Sequence, residues 1–210
     1  MQRIDLKRDL KHLYLPSTKL PVLVDVPPMQ FVMADGAIEP DQSPGTSPLF
    51  GENMQALYAA AYTLKFAAKL RKEDPLDYPV MALEGLWWVE DGRFDIRQPG
   101  NWKYTIMIMQ PPQVTQAMFR EAVGKAAAKR PNPAFGRLRL ATFHEGLSVQ
   151  IMHLGPYADE PTTLARMEAF AGERGYRLRG LHHEIYLGDP RRADPAKLRT
   201  VLRHGVERAT

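Results

Sequence analysis

The 210-residue chain contains no cysteine, which removes disulfide staples and thiolate metal sites from consideration. Apolar runs of membrane-spanning length are missing as well. The first residues carry Arg3, Asp5, Lys7, Arg8 and Asp9 where a signal peptide would need an apolar stretch, so a cytoplasmic protein with no membrane partner is expected. Charge of one sign is not in excess: 28 Lys plus Arg face 24 Asp plus Glu, a formal net charge of +4 spread along the chain. Direct nucleic-acid binding is therefore not expected. The basic residues of segments 3–11 and 191–203 are mixed with Asp5, Asp9 and Asp194, and Asp189 lies just before the second, as on solvated faces. No two histidines stand at helical spacing with a suitable third ligand, and His182 and His183 are adjacent and face opposite ways on a strand, so no metal and no cofactor is expected. A Gly-x-Ser-x-Gly elbow and a phosphate-cradling Gly-rich loop are absent too, which leaves acyl transfer and nucleotide chemistry without support.

What is present is a plan that occurs twice. With 44% hydrophobic and 25% charged residues the composition is that of an ordinary globular protein. Extended apolar segments at 20–26 and 30–34 precede a helical pattern over 49–70, and extended runs at 80–89 and 102–109 follow. The second copy has 138–143 and 149–154, a helical pattern over 162–171, then 181–187 and 200–206. The expectation is one α+β domain over residues 1–210, made of two β-α-β-β units at about 20–111 and 136–207 joined by a helical connector at about 114–130. The units would share a pseudo-symmetric antiparallel sheet, with helices on one face and a ligand groove on the other.

The helices are read from spacing. Met54, Leu57, Tyr58, Ala61, Leu64 and Ala68 form one apolar stripe, with Ser47-Pro48 as a start signal. Leu164, Met167, Phe170 and Ala171 form another, with Pro161 near its start and Gly175 beyond its end. Met118, Phe119, Ala122, Val123 and Ala126 mark the connector, which Pro131 and Pro133 end. Glu145-Gly146 between two β-rich runs is a hairpin signal, and Pro27-Pro28 holds the matching place in the first copy, where it should be exposed. Residues 39–47, rich in Pro and Gly, read as a loop over one end of the groove.

Chemistry concentrates in two segments. Glu84-Gly85-Leu86-Trp87-Trp88 is followed across a turn by Trp102 and Tyr104, which places all three tryptophans in one strand pair. Strand alternation points Trp87 and Trp88 to opposite faces, so one enters the core and the other covers a second surface or walls a pocket. Plain cross-strand packing is the competing reading. His182-His183-Glu184-Ile185-Tyr186 puts an imidazole, a carboxylate and a phenol, those of His182, Glu184 and Tyr186, on one face. A carboxylate buried among aromatics must raise its pKa, pair with a cation or be hydrogen-bonded, and each outcome marks a functional candidate. A solvent-facing polar strand is the alternative. Met107 and Met109 fit an adaptable apolar wall or an ordinary core. His12, His144, His153 and His204 are isolated by spacing.

The blocks 84–88, 105–111 and 182–187, the last followed by Asp189-Pro190-Arg191-Arg192, resemble the GyrI-like small-molecule-binding proteins. Ile4-Asp5-Leu6-Lys7 at the start resembles their stand-alone branch, and the likeness extends over nearly the whole chain. The resemblance implies a duplicated SHS2-like fold around a groove that takes hydrophobic, planar, often cationic molecules, with Glu184 as the polar anchor. About 20 residues before the first strand are too few for the helix-turn-helix module that many relatives carry. Some stand-alone members hydrolyse cyclopropane-bearing DNA-alkylating compounds, so the resemblance implies a detoxifying hydrolase. In that reading Glu184 is a base or water-orienting group, Tyr186 or Tyr104 stabilises the departing oxygen, Trp87 or Trp88 sandwiches the flat ligand, and His182, Met107 and Met109 line it. A non-catalytic drug-binding module and a protein inhibitor of gyrase-like targets are the two alternatives.

Overall fold

A computed structural model describes residues 2–92, 94–98, 100–189 and 193–209. In chain order its elements are β1 (Gln2–Arg3), α1 (Leu6–Asp9), α2 (Lys11–Tyr14), β2 (Val22–Val26), β3 (Met29–Ala37), α3 (Pro48–Lys69), β4 (Leu76–Asp77), β5 (Leu83–Trp88), β6 (Lys103–Gln110), α4 (Gln116–Lys129), β7 (Arg139–Phe143), β8 (Gly146–Leu154), α5 (Glu160–Gly172), β9 (Tyr176–Tyr186) and β10 (Arg199–Arg208). Pro190, Arg191 and Arg192, part of one sequence block and one charge cluster above, lie outside the described residues.

Eight strands form one sheet in the order β2-β8-β10-β9-β5-β6-β3-β7, with every pairing in it antiparallel. The order reads the same from either edge once β2, β3, β5 and β6 are exchanged with β7, β8, β9 and β10. Its centre is the β5–β9 pair, where the two halves of the chain meet. Each half also lends its first strand to the other: β2 pairs with β8, and β7 with β3. The hairpin expected at Glu145-Gly146 is therefore corrected. β7 and β8 leave that turn for opposite edges of the sheet, because each finds its ladder partner in the other half of the chain. Pro27 and Pro28 are exposed as expected.

Helix α3 starts where Ser47 Oγ accepts the Phe50 amide hydrogen at 3.3 Å and Pro48 presets the first turn. Its stripe of Leu57, Ala61, Leu64 and Ala68 is fully buried. Connector helix α4, capped by Thr115, packs on α3 rather than on the sheet. Helix α5 lies over β8 and β9, where Met167 and Ala171 close an apolar layer with Val149, Ile151, Leu202 and Val206.

Both α3 and α5 pack on the face of the sheet that bears Trp87 and Glu184, which corrects the expected placement of the groove away from the helices. Phe50 of α3 stacks on Trp87 with ring centroids 5.8 Å apart, and Glu160 at the start of α5 lies 3.9 Å from His182. The reason is parity: Tyr104, Trp87, His182 and Glu184 share one side of the pleat, and the two large amphipathic stripes have only that side to cover. The opposite face is sealed by the amino-terminal segment with α1 and α2, which bring Leu13 and Tyr14 onto it. These one-turn helices escape periodicity, which needs a longer window.

Candidate active site at the central strand pair

Antiparallel register sets Trp87 opposite His182, Gly85 opposite Glu184 and Leu83 opposite Tyr186. Directly paired residues project to the same side, so the Trp-rich strand and the His-Glu-Tyr strand meet on one surface. Gly85 leaves a gap in it. Trp87 leans into that gap, and its Nε1–H donates to the Tyr186 hydroxyl at 2.9 Å. His182 Nε2–H donates to Glu184 Oε1 at 2.8 Å, which leaves Nδ1 as the acceptor for His204 Nε2–H at 3.0 Å. Glu184 is thus buried, with the His182 ring directed at it as a donor.

Above Glu184 stands Glu160, 0% exposed. Neither of its oxygens has a hydrogen-bond partner, and one of them lies within 4.8 Å of an oxygen of Glu184. Two buried carboxyl groups this close cannot both be ionised, so one of them holds a proton. Burial and then the charge of Glu184 push Glu160 up to about 10, so Glu160 holds that proton at neutral pH. Burial and then the same two carboxyl groups raise Tyr157 to about 12, while Tyr186 is driven well above a free phenol by its burial and by Glu184. One oxygen or nitrogen each from Glu160, His182 and Glu184 lies within 4.8 Å of the others, a donor set that could hold a metal ion. No histidine spacing along the sequence marks this set, because strand β9 and the start of helix α5 assemble it.

The wall beside this pair is aromatic. Trp87 contacts Phe50, Phe94, Trp102 and Tyr104 at centroid distances of 5.8, 6.2, 6.2 and 5.6 Å, and Phe94 lies nearly parallel to the His182 ring, 5.2 Å away. Of the residues singled out by sequence, Glu184, Tyr186, His182, Trp87 and Tyr104 share this side, Tyr104 held by Asn53 Nδ2–H at 3.0 Å. Three do not. Trp88 points the other way, next to Lys103. Met107 and Met109 lie on the opposite face, Met107 paired with Glu84 and Met109 within 3.6 Å of the Tyr14 hydroxyl. They stand an odd number of residues from Tyr104, so strand alternation turns them away. Glu160, Phe94 and His204 were missed. An acid beside Pro161 at a helix start reads as ordinary first-turn chemistry, and no periodicity marks Phe94.

The reverse side of β9 carries a second buried polar cluster. His183 donates from Nδ1 to Glu145 at 2.9 Å and from Nε2 to Glu84 at 3.0 Å, and the Tyr14 hydroxyl donates to Glu84 at 2.6 Å. Arg203 lies 3.5 Å from Glu145 and donates to Gln150 at 2.9 Å and to the Leu13 carbonyl at 2.6 Å. Two anions and two cations balance here. Burial would hold His183 down, but Glu145 and Glu84 outweigh it and raise the imidazole to about 9.

The GyrI-like small-molecule-binding domain matches residues 21–204. The chain belongs to the GyrI-like family. A crystal structure of a conserved protein from Listeria innocua is 38% identical and superposes with a TM-score of 0.87 over 97% of this chain and 100% of that one. A second Listeria innocua structure, titled a hydrolase, is 36% identical with a TM-score of 0.86 over 98% and 100%. The EcmrR C-terminal domain, at 12% identity and a TM-score of 0.54 over 90% of this chain and 98% of that one, shares the fold. Among curated proteins none matches at a significant level. In this GyrI-like chain no helix among the described residues is long and apolar enough to cross a membrane.

Proposed function

We propose that the protein binds flat, hydrophobic small molecules against Trp87 and Trp102 and hydrolyses electrophilic, cyclopropane-bearing members of that class. The observation that carries the reading is the Glu160–Glu184 pair: two buried carboxyl groups within 4.8 Å of each other behind an aromatic wall. The hydrolase title of a Listeria innocua relative supports it. A cyclopropane fused to a dienone opens when water adds to the ring carbon. The new C–O bond forms as the C–C bond breaks, and the electron pair flows into the dienone, whose oxygen becomes a phenol. Glu184 takes the proton of the attacking water, oriented by His182 and Tyr186. Glu160 carries the proton that the developing phenolate oxygen requires. The product is substrate plus one water, and the pair returns to a single shared proton.

The test is incubation with a cyclopropane-dienone electrophile read by mass spectrometry. Glu184→Gln is expected to keep binding, seen as quenching of Trp fluorescence, and to lose hydrolysis by roughly 10²- to 10⁴-fold, the usual weight of a general base. Wild-type turnover in that variant would sink the mechanism. Hydrolysis is also expected to survive EDTA, since the pair works without the metal that its donor atoms could hold. The same reading treats residues of about 20–111 and 136–207 as copies of one unit, which the mirrored strand order supports. It places the protein in the cytoplasm with no nucleic-acid partner.

A further inference from the structure

The connection from β5 to β6 is longer than its ends require. Trp88 and Lys103 are paired across the two strands, a junction that a two-residue turn can close, yet residues 89–102 run between them. Connections of more than about 12 residues without regular structure are uncommon and are usually functional. Near the ends of this one Gly92 and Gly100 take φ of 96° and 149°, a region where glycine carries no steric penalty and a change of chain direction costs little.

From the middle of this connection Phe94 reaches the aromatic recess. Its ring lies 14° from the plane of His182 and 29° from that of Trp87, with Trp102 tilted 5.1 Å away. Those three partners are buried while Phe94 is only half-buried, so its ring closes the recess from outside. Inward of it, His182 holds Glu184, and Glu160 follows. Alongside the connection an open cleft of about 530 Å³, lined by Glu39, Pro40, Asp95, Gln98 and Asn101, leaves volume beside the loop.

We propose that Phe94 is a displaceable plug: its ring occupies the stacking place between His182 and the Trp87–Trp102 pair, and a flat aromatic group of the ligand enters by replacing it. The ligand side of this rests on the reading under Proposed function. The slot then admits one planar ring system, presented edge-first to the Glu160–Glu184 pair, and rejects bulky saturated groups that cannot slide into a space one ring thick. Affinity in the wild type is scaled down to the fraction of time that the plug is out, so removing the ring raises it by the inverse of that fraction.

The test compares Phe94 with Phe94→Ala and Phe94→Leu in a Trp88→Phe background, which removes the half-buried indole outside the recess. Acrylamide quenching of Trp emission is measured without ligand, and binding is measured by titration with acridine orange, a flat tricyclic cation. Phe94→Ala is expected to raise the quenching constant and to tighten acridine orange by about tenfold or more, with Phe94→Leu between. Unchanged quenching with unchanged or weaker binding makes Phe94 a fixed wall and overturns the plug. Should acridine orange bind none of the proteins while quenching rises in Phe94→Ala, the plug stands and the small-molecule reading fails. If Phe94→Ala does not fold, Phe94→Leu decides by the same criteria.

Discussion

A β-carbon at position 85 would lie 2.7 Å from Trp87 Nε1 and 2.9 Å from the Tyr186 hydroxyl. Neither neighbour can retreat, since Trp87 and Tyr186 are packed against each other and against the core. Gly85→Ala is expected to destabilise the protein by about 1–3 kcal/mol, the cost of overpacking, and to break the Trp87–Tyr186 bond. A denaturant midpoint equal to wild type would refute the close approach. Glu160 leaves its mark on pH dependence. Folded, it keeps its proton up to about 10; unfolded, it loses it near 4.5. Its stabilising contribution is complete below about 4.5 and is lost as pH rises through that window, at about 1.4 kcal/mol per unit. Glu160→Gln is expected to flatten this decline, measured as unfolding free energy from pH 5 upward. Glu184 was visible beforehand, as an acid flanked by His and Tyr with strand spacing. Glu160 was hidden by distance in sequence and by its ordinary setting at a helix start.

Among the elements, the amino-terminal segment has short helices and is anchored through its backbone carbonyls. Gln150 donates to the His12 carbonyl at 2.7 Å, Arg203 to that of Leu13, and the Met152 amide to that of Ser17 at 3.0 Å. Tyr14→Phe leaves Glu84 without one donor, and a loss of about 1–3 kcal/mol is expected, the range for a buried acceptor left unpaired. Equilibrium urea unfolding checks it. His183 adds a window of its own: folded near 9 and unfolded near 6.5, it stabilises fully below 6.5, and that contribution disappears as pH climbs through 9. The wild-type decline in stability is therefore steepest between those values, and His183→Gln removes the extra slope. Helix α3 was legible from its stripe and its Ser-Pro start; α1 and α2 were not, because four residues carry no period.

On the scale of the whole molecule, the exchange of β2 and β7 makes the halves interdependent. Cutting the chain between residues 131 and 133 is expected to give two fragments without a cooperative melt, because the edges of each half are completed by the other. Mixed in equal amounts they should recover one. A cooperative transition in the first fragment alone would show that β3 and β6 are stable without β7. The antiparallel α+β sheet could be read in advance, since period-two and helical spacing are local properties. The lending of first strands could not, for a hairpin signal records a turn and not the partner that each strand finds.

Sequence by itself determined the strand and helix patterns, which side chains share a face within each strand, and the acid-bearing strand β9, because alternation depends only on neighbours along the chain. Tertiary structure decided which faces meet: it put the helices over Glu184, turned Met107 and Met109 to the reverse side, and brought Glu160 and Phe94 to the site. Contacts between residues far apart in the chain depend on register and packing across the β5–β9 seam, and no local pattern encodes those.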